Sequence, residues 1–409
     1  MEKADFKVYP YRWVVLLAFM AIVAVNQLLW ISFAPITSQA VTFYGVSDLS
    51  IGLLSLIFMI VYIFVTFPAS WVIDTHGIRV AVGIGAGLTG FFGLLRGLVA
   101  TNYTWVLIAQ IGIAIGQPFI LNAVTTVAAR WFSIQERATA AGLGSLAIYL
   151  GILTGLALTP YLALRAGISG MLLTYGIVSI VAMLVFFIFA KESPPTPPCS
   201  PDQEERSLVT EGLSKMIHQR DFMLLMAIFF VGLGAFNAVT TWIEEILNPR
   251  GFSVTQAGNA GGAMILGGII GAVVMPLLSD HYRKRTPFLI IAVAGATLGL
   301  LGIIYAASNW SLLVTSFIFG FFLLSAGPLG FQYGAEITYP APEGTSNGLL
   351  LLMGQVSGII FIIGMDAFKT PETGSMRLPL LFMVGLFAVS LVLGTFLKES
   401  TRLNQEVRS

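Results

Sequence analysis

Hydrophobic positions in this chain come in long unbroken runs rather than in stripes. Twelve runs recur, at 12–34, 49–69, 78–99, 104–126, 137–160, 168–190, 222–245, 255–279, 286–306, 310–334, 344–366 and 377–397. Each is close to the ~20 residues a helix needs to cross ~30 Å of hydrocarbon. None alternates as a barrel strand does, and a helix satisfies its own backbone inside lipid. The pattern predicts an all-α membrane protein with twelve transmembrane helices. The first run is too long for the apolar core of a cleaved signal peptide. The longest polar gap, "KESPPTPPCSPDQEERS" (191–207), is Pro-rich and reads as a linker. It separates a six-helix bundle at 1–190 from a second at 221–409, with 191–220 as the connection. Val209, Leu213, Met216 and Ile217 share one helical face there, so a short surface helix and an unstructured tether are both open.

Composition agrees with that picture. Charged residues make up 10% of the chain, against about 25% in a soluble domain, and the mean hydropathy is +0.88. The single cysteine, Cys199, excludes a disulfide framework. His76, His218 and His281 lie in loops without metal-ligand spacing, and no nucleotide loop or nucleophile constellation is present. No metal, cofactor, nucleic-acid partner or enzyme activity is therefore expected. A net charge of +1 decides nothing, but its distribution does. Sixteen Lys and Arg fall on the side of the termini and the central gap, four (Arg165, Arg250, Lys369 and Arg377) on the other, and Arg96 within a span. The excess of positive charge places both termini in the cytoplasm, in a plasma membrane or bacterial inner membrane. Arg96 lies near the outer end of its span and is expected to snorkel.

The two halves repeat. Gly45 and Gly251, Asp74 and Asp280, and Arg130 and Glu336 are each 206 residues apart. Six-plus-six parallel repeats about an axis along the membrane normal resemble the plan of the major facilitator superfamily. "DTHGIR" (74–79) is similar to that superfamily's loop between spans two and three. There Gly77 permits a tight turn. The resemblance implies that Asp74 and Arg79, with Arg130, Asp280, Arg283 and Glu336, form a cytoplasmic gate that breaks as the protein opens inward. Solvated loop charge is the plain alternative. Antiporters of the superfamily often carry an Arg in span four and a Gly-Pro pair in span five. Span four here has none, and span five carries Gly144, Gly151 and Gly155, which allow close helix packing.

Polar and aromatic residues inside the spans are the candidates for a midplane site. Asn26 and Trp30 share a face of span one, as Gln110 and Gln117 do in span four. Tyr149 stands in span five, Asn237, Thr241 and Glu244 run along span seven, and Gln355 stands in span eleven. Adding 206 takes Trp30 to Phe236 and Tyr149 to Gln355. Trp30 reads equally well as a member of an interfacial aromatic belt, and a lone Gln as a bond across helices.

One run is more specific. "PLGFQYGAEITYPAPEGTSNGLL" (328–350) resembles the feline leukaemia virus subgroup C receptor family, as do "YRWVVLL" (11–17), "FYGVS" (43–47) and "RWFSIQERATA" (130–140). The short termini point to a prokaryotic relative. That family moves choline or ethanolamine, with haem long proposed. The resemblance places its site on Trp30, Gln117, Phe236 and Gln355. It departs at Asn237 for an aromatic, Tyr149 for a Gln, and Glu244 and Glu245 for an amide pair.

Together these readings predict a monomeric secondary transporter for a small organic solute, with the lipid bilayer as its medium. Two aromatics suit a cation, and Glu244 supplies countercharge or couples transport to protons. An exporter of haem or another amphipathic anion, and a non-transporting receptor, are the rivals.

Overall fold

The computed structural model describes residues 8–196, 216, 218–339 and 343–399. The helix weighed over 209–217 and Cys199 lie outside them, except for Met216. All regular structure among the described residues is helical. Two compact units divide the chain between residues 205 and 206.

The first unit contains α1 (Arg12–Ile31), α2 (Thr37–Tyr44), α3 (Asp48–His76), α4 (Ile78–Leu98), α5 (Tyr103–Leu121), α6 (Val124–Trp131) and α7 (Ile134–Phe189). The first span is broken: α1 ends at Ile31, a 3-10 turn over Ala34–Ile36 follows, and α2 resumes at Thr37. Pro35 lies in that turn and lacks the amide a continuous helix would need. Span four breaks likewise between α5 and α6, just past Pro118. The 56-residue stretch called α7 turns at Gly167 (φ 69°), which divides it into the fifth and sixth spans. Counting it as one gives, among the described residues, eleven helices long and apolar enough to cross a membrane. Counting it as two recovers the twelve runs.

α1 packs along α7, and α4 packs on α7 and α5. The α1–α7 seam uses the glycines of span five. A Cβ on Gly151 would overlap the Ala24 carbonyl, and one on Gly155 would overlap Ile31. Two helices this close exchange dispersion contacts along their backbones, which matters in lipid because no hydrophobic drive holds helices together there.

The second unit contains α8 (Arg220–Thr241), α9 (Ile243–Leu247), α10 (Val254–Tyr282), α11 (Thr286–Tyr305), α12 (Asn309–Thr338), α13 (Glu343–Ala367) and α14 (Arg377–Thr395). The α10–α12 seam is its tightest: Gly267, Gly271 and Gly320 each face a backbone carbonyl of the other helix. The 206-residue repeat extends to details that the apolar runs do not carry. Gly45 and Gly251 are both left-handed, at φ 66° and 83°. Ser47 and Ser253 both accept the amide three residues on as N-caps. Tyr44 donates to the Ala100 carbonyl at 2.7 Å, and Arg250 donates to Ala306, its equivalent. Different side chains close the same helix end.

Candidate functional site

Two groups of sequence-selected residues fall at different levels of each unit. The first is the charged end, where α3 meets α4 and α10 meets α11. Gly77 has φ 86°, a region L side chains rarely adopt, and the Glu192 carboxylate occupies the place of its missing Cβ. Glu192 accepts the amides of Ile78 (3.0 Å) and Arg79 (2.7 Å), the orphan donors at the start of α4, and pairs with Arg130. In the second unit Glu399 accepts the amides of Arg285 (2.7 Å) and Thr286 (3.3 Å) at the start of α11. Neither glutamate was selected from the sequence. The signal was present: "KES" occurs at 191–193 and again at 398–400.

Asp74 and Arg79 are exposed and pair with no charge among the described residues. The Arg79 contribution within its unit is its backbone amide. Arg283 is the left-handed cap of α10 (φ 52°) and exposed. The cation that gathers this end is instead Arg285, which the sequence reading passed over. Its guanidinium, 7% exposed, pairs with Asp280 and bonds Glu336 at 3.1 Å. Gln332 also donates to Glu336, at 3.1 Å. Burial pulls the Arg285 pKa down, but the bonds and charges of Asp280 and Glu336 outweigh it, so the group ends raised. Replacing Gly77 by Ala sets a Cβ against Glu192 in a strained backbone. The expected result is a thermal unfolding midpoint several degrees lower, with Gly45→Ala, which meets nothing within 4 Å, costing only its backbone strain.

The second group lies within the spans. Trp30, 6% exposed, sits in the last turn of α1 and donates from Nε1 to the Ser55 carbonyl of α3 at 3.1 Å. Asn26 is fully buried and spends its amide on Thr89 (3.1 Å) and the Ile113 carbonyl (3.5 Å). The face shared by Asn26 and Trp30 in sequence is therefore divided: Asn26 bonds to α4 and α5, Trp30 to α3. Gln117 is 7% exposed in α5, and Tyr149 is half-buried in α7. In the second unit Phe236 is 8% exposed, and Asn237 donates to the Gly354 carbonyl at 3.1 Å. Thr241 is buried at the end of α8. The stripe Asn237, Thr241, Glu244 is interrupted, because Trp242 leaves helical geometry and α9 restarts at Ile243. Trp242 was not selected from the sequence. It is fully buried, and its indole donates to the Ile362 carbonyl at 3.0 Å. Glu244 and Glu245 lie in the first turn of α9, 2% and 8% exposed. Gln355 is half-buried in α13.

A division of labour follows. Asn26 and Asn237 each donate from Nδ2 across to a neighbouring helix. Gln117, Tyr149 and Gln355 have side-chain polar groups with no partner among the described residues. Arg96 departs from expectation: it is fully buried rather than snorkelling, bonded to Leu29, Ser32 and Gln110. The guanidinium is bound by interior oxygens at the end of α1 and in α5.

The family model described as Major Facilitator Superfamily matches residues 15–362. The chain belongs to the major facilitator superfamily. Within it, the chain is 31% identical over 388 residues to solute carrier family 49 member A3 of Xenopus tropicalis, covering 90% of this chain and 80% of that one. It is 30% identical over 420 residues to the choline/ethanolamine transporter FLVCR1 of Mus musculus, covering 94% and 75%. These relatives bear out the resemblance read from the Glu-Ile-Thr-Tyr-Pro run. Among solved structures, an inward-facing, unoccupied bacterial homologue of the human lysosomal transporter Spinster superposes with a TM-score of 0.75 at 16% identity, over 95% of this chain and 97% of that one. That likeness carries the fold. By family the chain is a multi-pass membrane transporter of small solutes.

Proposed function

We propose that this transporter moves a small organic cation of the choline type by alternating access. The relation to a choline/ethanolamine transporter over 94% of the chain carries the reading, together with the unpartnered state of Gln117, Tyr149 and Gln355. Trp30 and Phe236 supply aromatic faces, each worth about 0.5–2 kcal/mol to an ammonium group. Gln117, Gln355 and Tyr149 offer dipoles to a hydroxyl or amine, Glu244 offers countercharge, and Asn26, Asn237 and Thr241 complete the set of binding residues proposed. The termini, the 191–220 linker and the charged end face the cytoplasm, in the plasma membrane of a monomeric protein whose bundles are 1–190 and 221–409. Asp74, Gly77, Arg79, Arg130, Asp280, Arg283 and Glu336 act as the gate at that end. An anionic cargo finds less support, because Arg96, the basic residue read within a span, is fully buried and bonded through Nη1 to Leu29, Ser32 and Gln110.

Two variants test the reading. In proteoliposomes, radiolabelled choline uptake should fall at least tenfold in Gln117→Ala, with the unfolding midpoint within a few degrees of the parent, and in Trp30→Ala, which also lowers the midpoint by removing a buried indole and its bond to Ser55. Uptake of parent protein that ignores both changes removes the site. Proton coupling rests on Glu244: uptake that rises as outside pH falls, and loses that dependence in Glu244→Gln, supports symport. Uptake indifferent to pH and to uncouplers makes the protein a uniporter.

A further inference from the structure

The first unit holds a buried polar knot that has no counterpart at the equivalent described residues of the second. Arg96, fully buried near the end of α4, donates from Nη1 to the Leu29 carbonyl (3.0 Å), Ser32 Oγ (3.2 Å) and Gln110 Oε1 (2.7 Å). Because Oε1 of Gln110 faces a donor-only group, its Nε2 must point the other way. It donates to the Leu29 carbonyl (3.3 Å) and to the Leu54 carbonyl of α3 (3.0 Å). Ser32 donates to Leu29 as well, at 3.0 Å. Three side chains thus converge on one carbonyl at the end of α1, where the helix breaks ahead of Pro35. The guanidinium rests at the negative ends of two helix dipoles, α1 and its own α4, with the Phe33 ring 5.6 Å away. Its Nε and Nη2 meet no acceptor among the described residues. No carboxylate is needed to explain its place, because these carbonyls and dipoles supply negative potential.

The fold does not require this knot. In the second unit the positions 206 residues on from Ser32, Ser55, Arg96 and Gln110 are Ala238, Gly261, Gly302 and Ser316. Helices there close on one another instead: a Cβ on Gly302 would overlap Thr315, and the buried Ser316 hydroxyl has no partner among the described residues. The same architecture stands with and without the network, so packing alone does not account for it. What the first unit has at this level is Trp30. Leu29, which takes three bonds, precedes it, and Ser55, which accepts its indole, follows Leu54, which accepts Gln110. Phe236, its equivalent, has no ring donor to place.

We infer that Arg96 and Gln110 are positioning residues that fix the Trp30 indole and the break in the first span, through the Leu29 and Leu54 carbonyls. This rests on the proposal that Trp30 binds the solute. Losing the guanidinium lets the Gln110 amide turn, so Leu54 loses its side-chain donor, Leu29 keeps only that of Ser32, and the last turn of α1 becomes free to rotate with its tryptophan.

Fluorine NMR of protein labelled with 5-fluorotryptophan tests it without reference to any solute. The seven tryptophans give seven lines, and Trp30→Phe assigns one. In Arg96→Met and in Gln110→Leu, the Trp30 line should move or broaden while the other six stay. Arg96→Lys, which keeps charge but not the forked donor, should move it in the same direction, and Ser316→Ala should leave all lines in place. Choline KM should rise roughly tenfold in Arg96→Met, as loss of one charge-assisted bond implies, with maximal rate within about twofold. A Trp30 line unmoved in both variants, or all seven lines changing together, overturns the inference. If Arg96→Met does not fold, Gln110→Leu and Ser32→Ala decide by the same comparison. Absence of choline uptake by the parent protein would remove the solute reading while the fluorine spectra still answer the positioning question.

Discussion

Gly151→Val is expected to abolish transport and to lower the unfolding midpoint more than any other single change in the first unit. Gly151 faces the Ala24 carbonyl so closely that a Cβ would overlap the oxygen. A flexible side chain in that place would step aside. A carbonyl within a helix cannot, because it belongs to the backbone ladder. α1 must therefore move outward along α7, taking Gly155 out of contact with Ile31. Overpacking in a close-packed interior costs about 1–3 kcal/mol when only side chains yield, and here a helix must yield. Trp30 sits six residues beyond Ala24 on the displaced helix. Thermal unfolding in detergent and choline uptake in proteoliposomes measure the two effects. Gly142→Val, on the same helix with nothing within 4 Å of its Cβ position, is the control. If both variants behave alike, close approach of α1 and α7 is not what holds the seam.

How much of this was legible beforehand depends on the length scale of the signal. Twelve spans were readable because lipid imposes one requirement, about 20 apolar residues, at every span. The two-unit repeat was readable because no insertion disturbs the 206-residue offset. Glycines of the seam were readable as small residues, but not which neighbour each admits. Side-chain partners were harder. Arg96 was expected at the interface because a long basic side chain near a helix end usually reaches water. Its fate was decided by the break at Ile31, which exposes the Leu29 carbonyl, and that break follows from Pro35 in the turn just after it. Glu192 was counted with the linker because it follows the last apolar run, although its repeat at Glu399 marked it. Arg285 was passed over for Arg283 because three basic residues stand together at 283–285, and only the left-handed cap at Arg283 turns the third of them inward.

The pattern of misses has a physical reason. Apolar burial scales with area and is read from composition, whereas a hydrogen bond needs two named atoms from distant parts of the chain. Arg96 and Gln110 are 14 residues apart, but Leu29 lies 67 residues before Arg96. The same holds at the charged end, where Glu192 reaches α4 across 113 residues. Equivalent positions in the two units carry different side chains for one task, as Tyr44 and Arg250 do at Ala100 and Ala306. A search for identical residues in the repeat would miss such pairs, while a search for shared geometry finds them.

Arg285→Ala should destabilise the second unit far more than Arg130→Ala destabilises the first, although each removes one cation from an equivalent end. Arg285 is 7% exposed and its partner Glu336 11%, whereas Arg130 and Glu192 are each about a third exposed, at 31% and 34%. Removing Arg285 leaves the Glu336 carboxylate facing only Gln332, with Oε2 already lacking a partner among the described residues. A buried charge stripped of its counterion costs about 3–5 kcal/mol. Asp280, at 59% exposed, turns to solvent at little cost. Removing Arg130 leaves Glu192 with the two amides of α4 and with water, so the loss there is about 1 kcal/mol or less. Arg285→Lys should recover little, since Nε and Nη1 serve two carboxylates at once and an ammonium on a flexible stem cannot hold that fork. Glu336→Gln in the Arg285→Ala background should restore part of the midpoint by removing the stranded charge. Equal losses for the two single variants, or no recovery in the double, would show that burial does not set the strength of these ends.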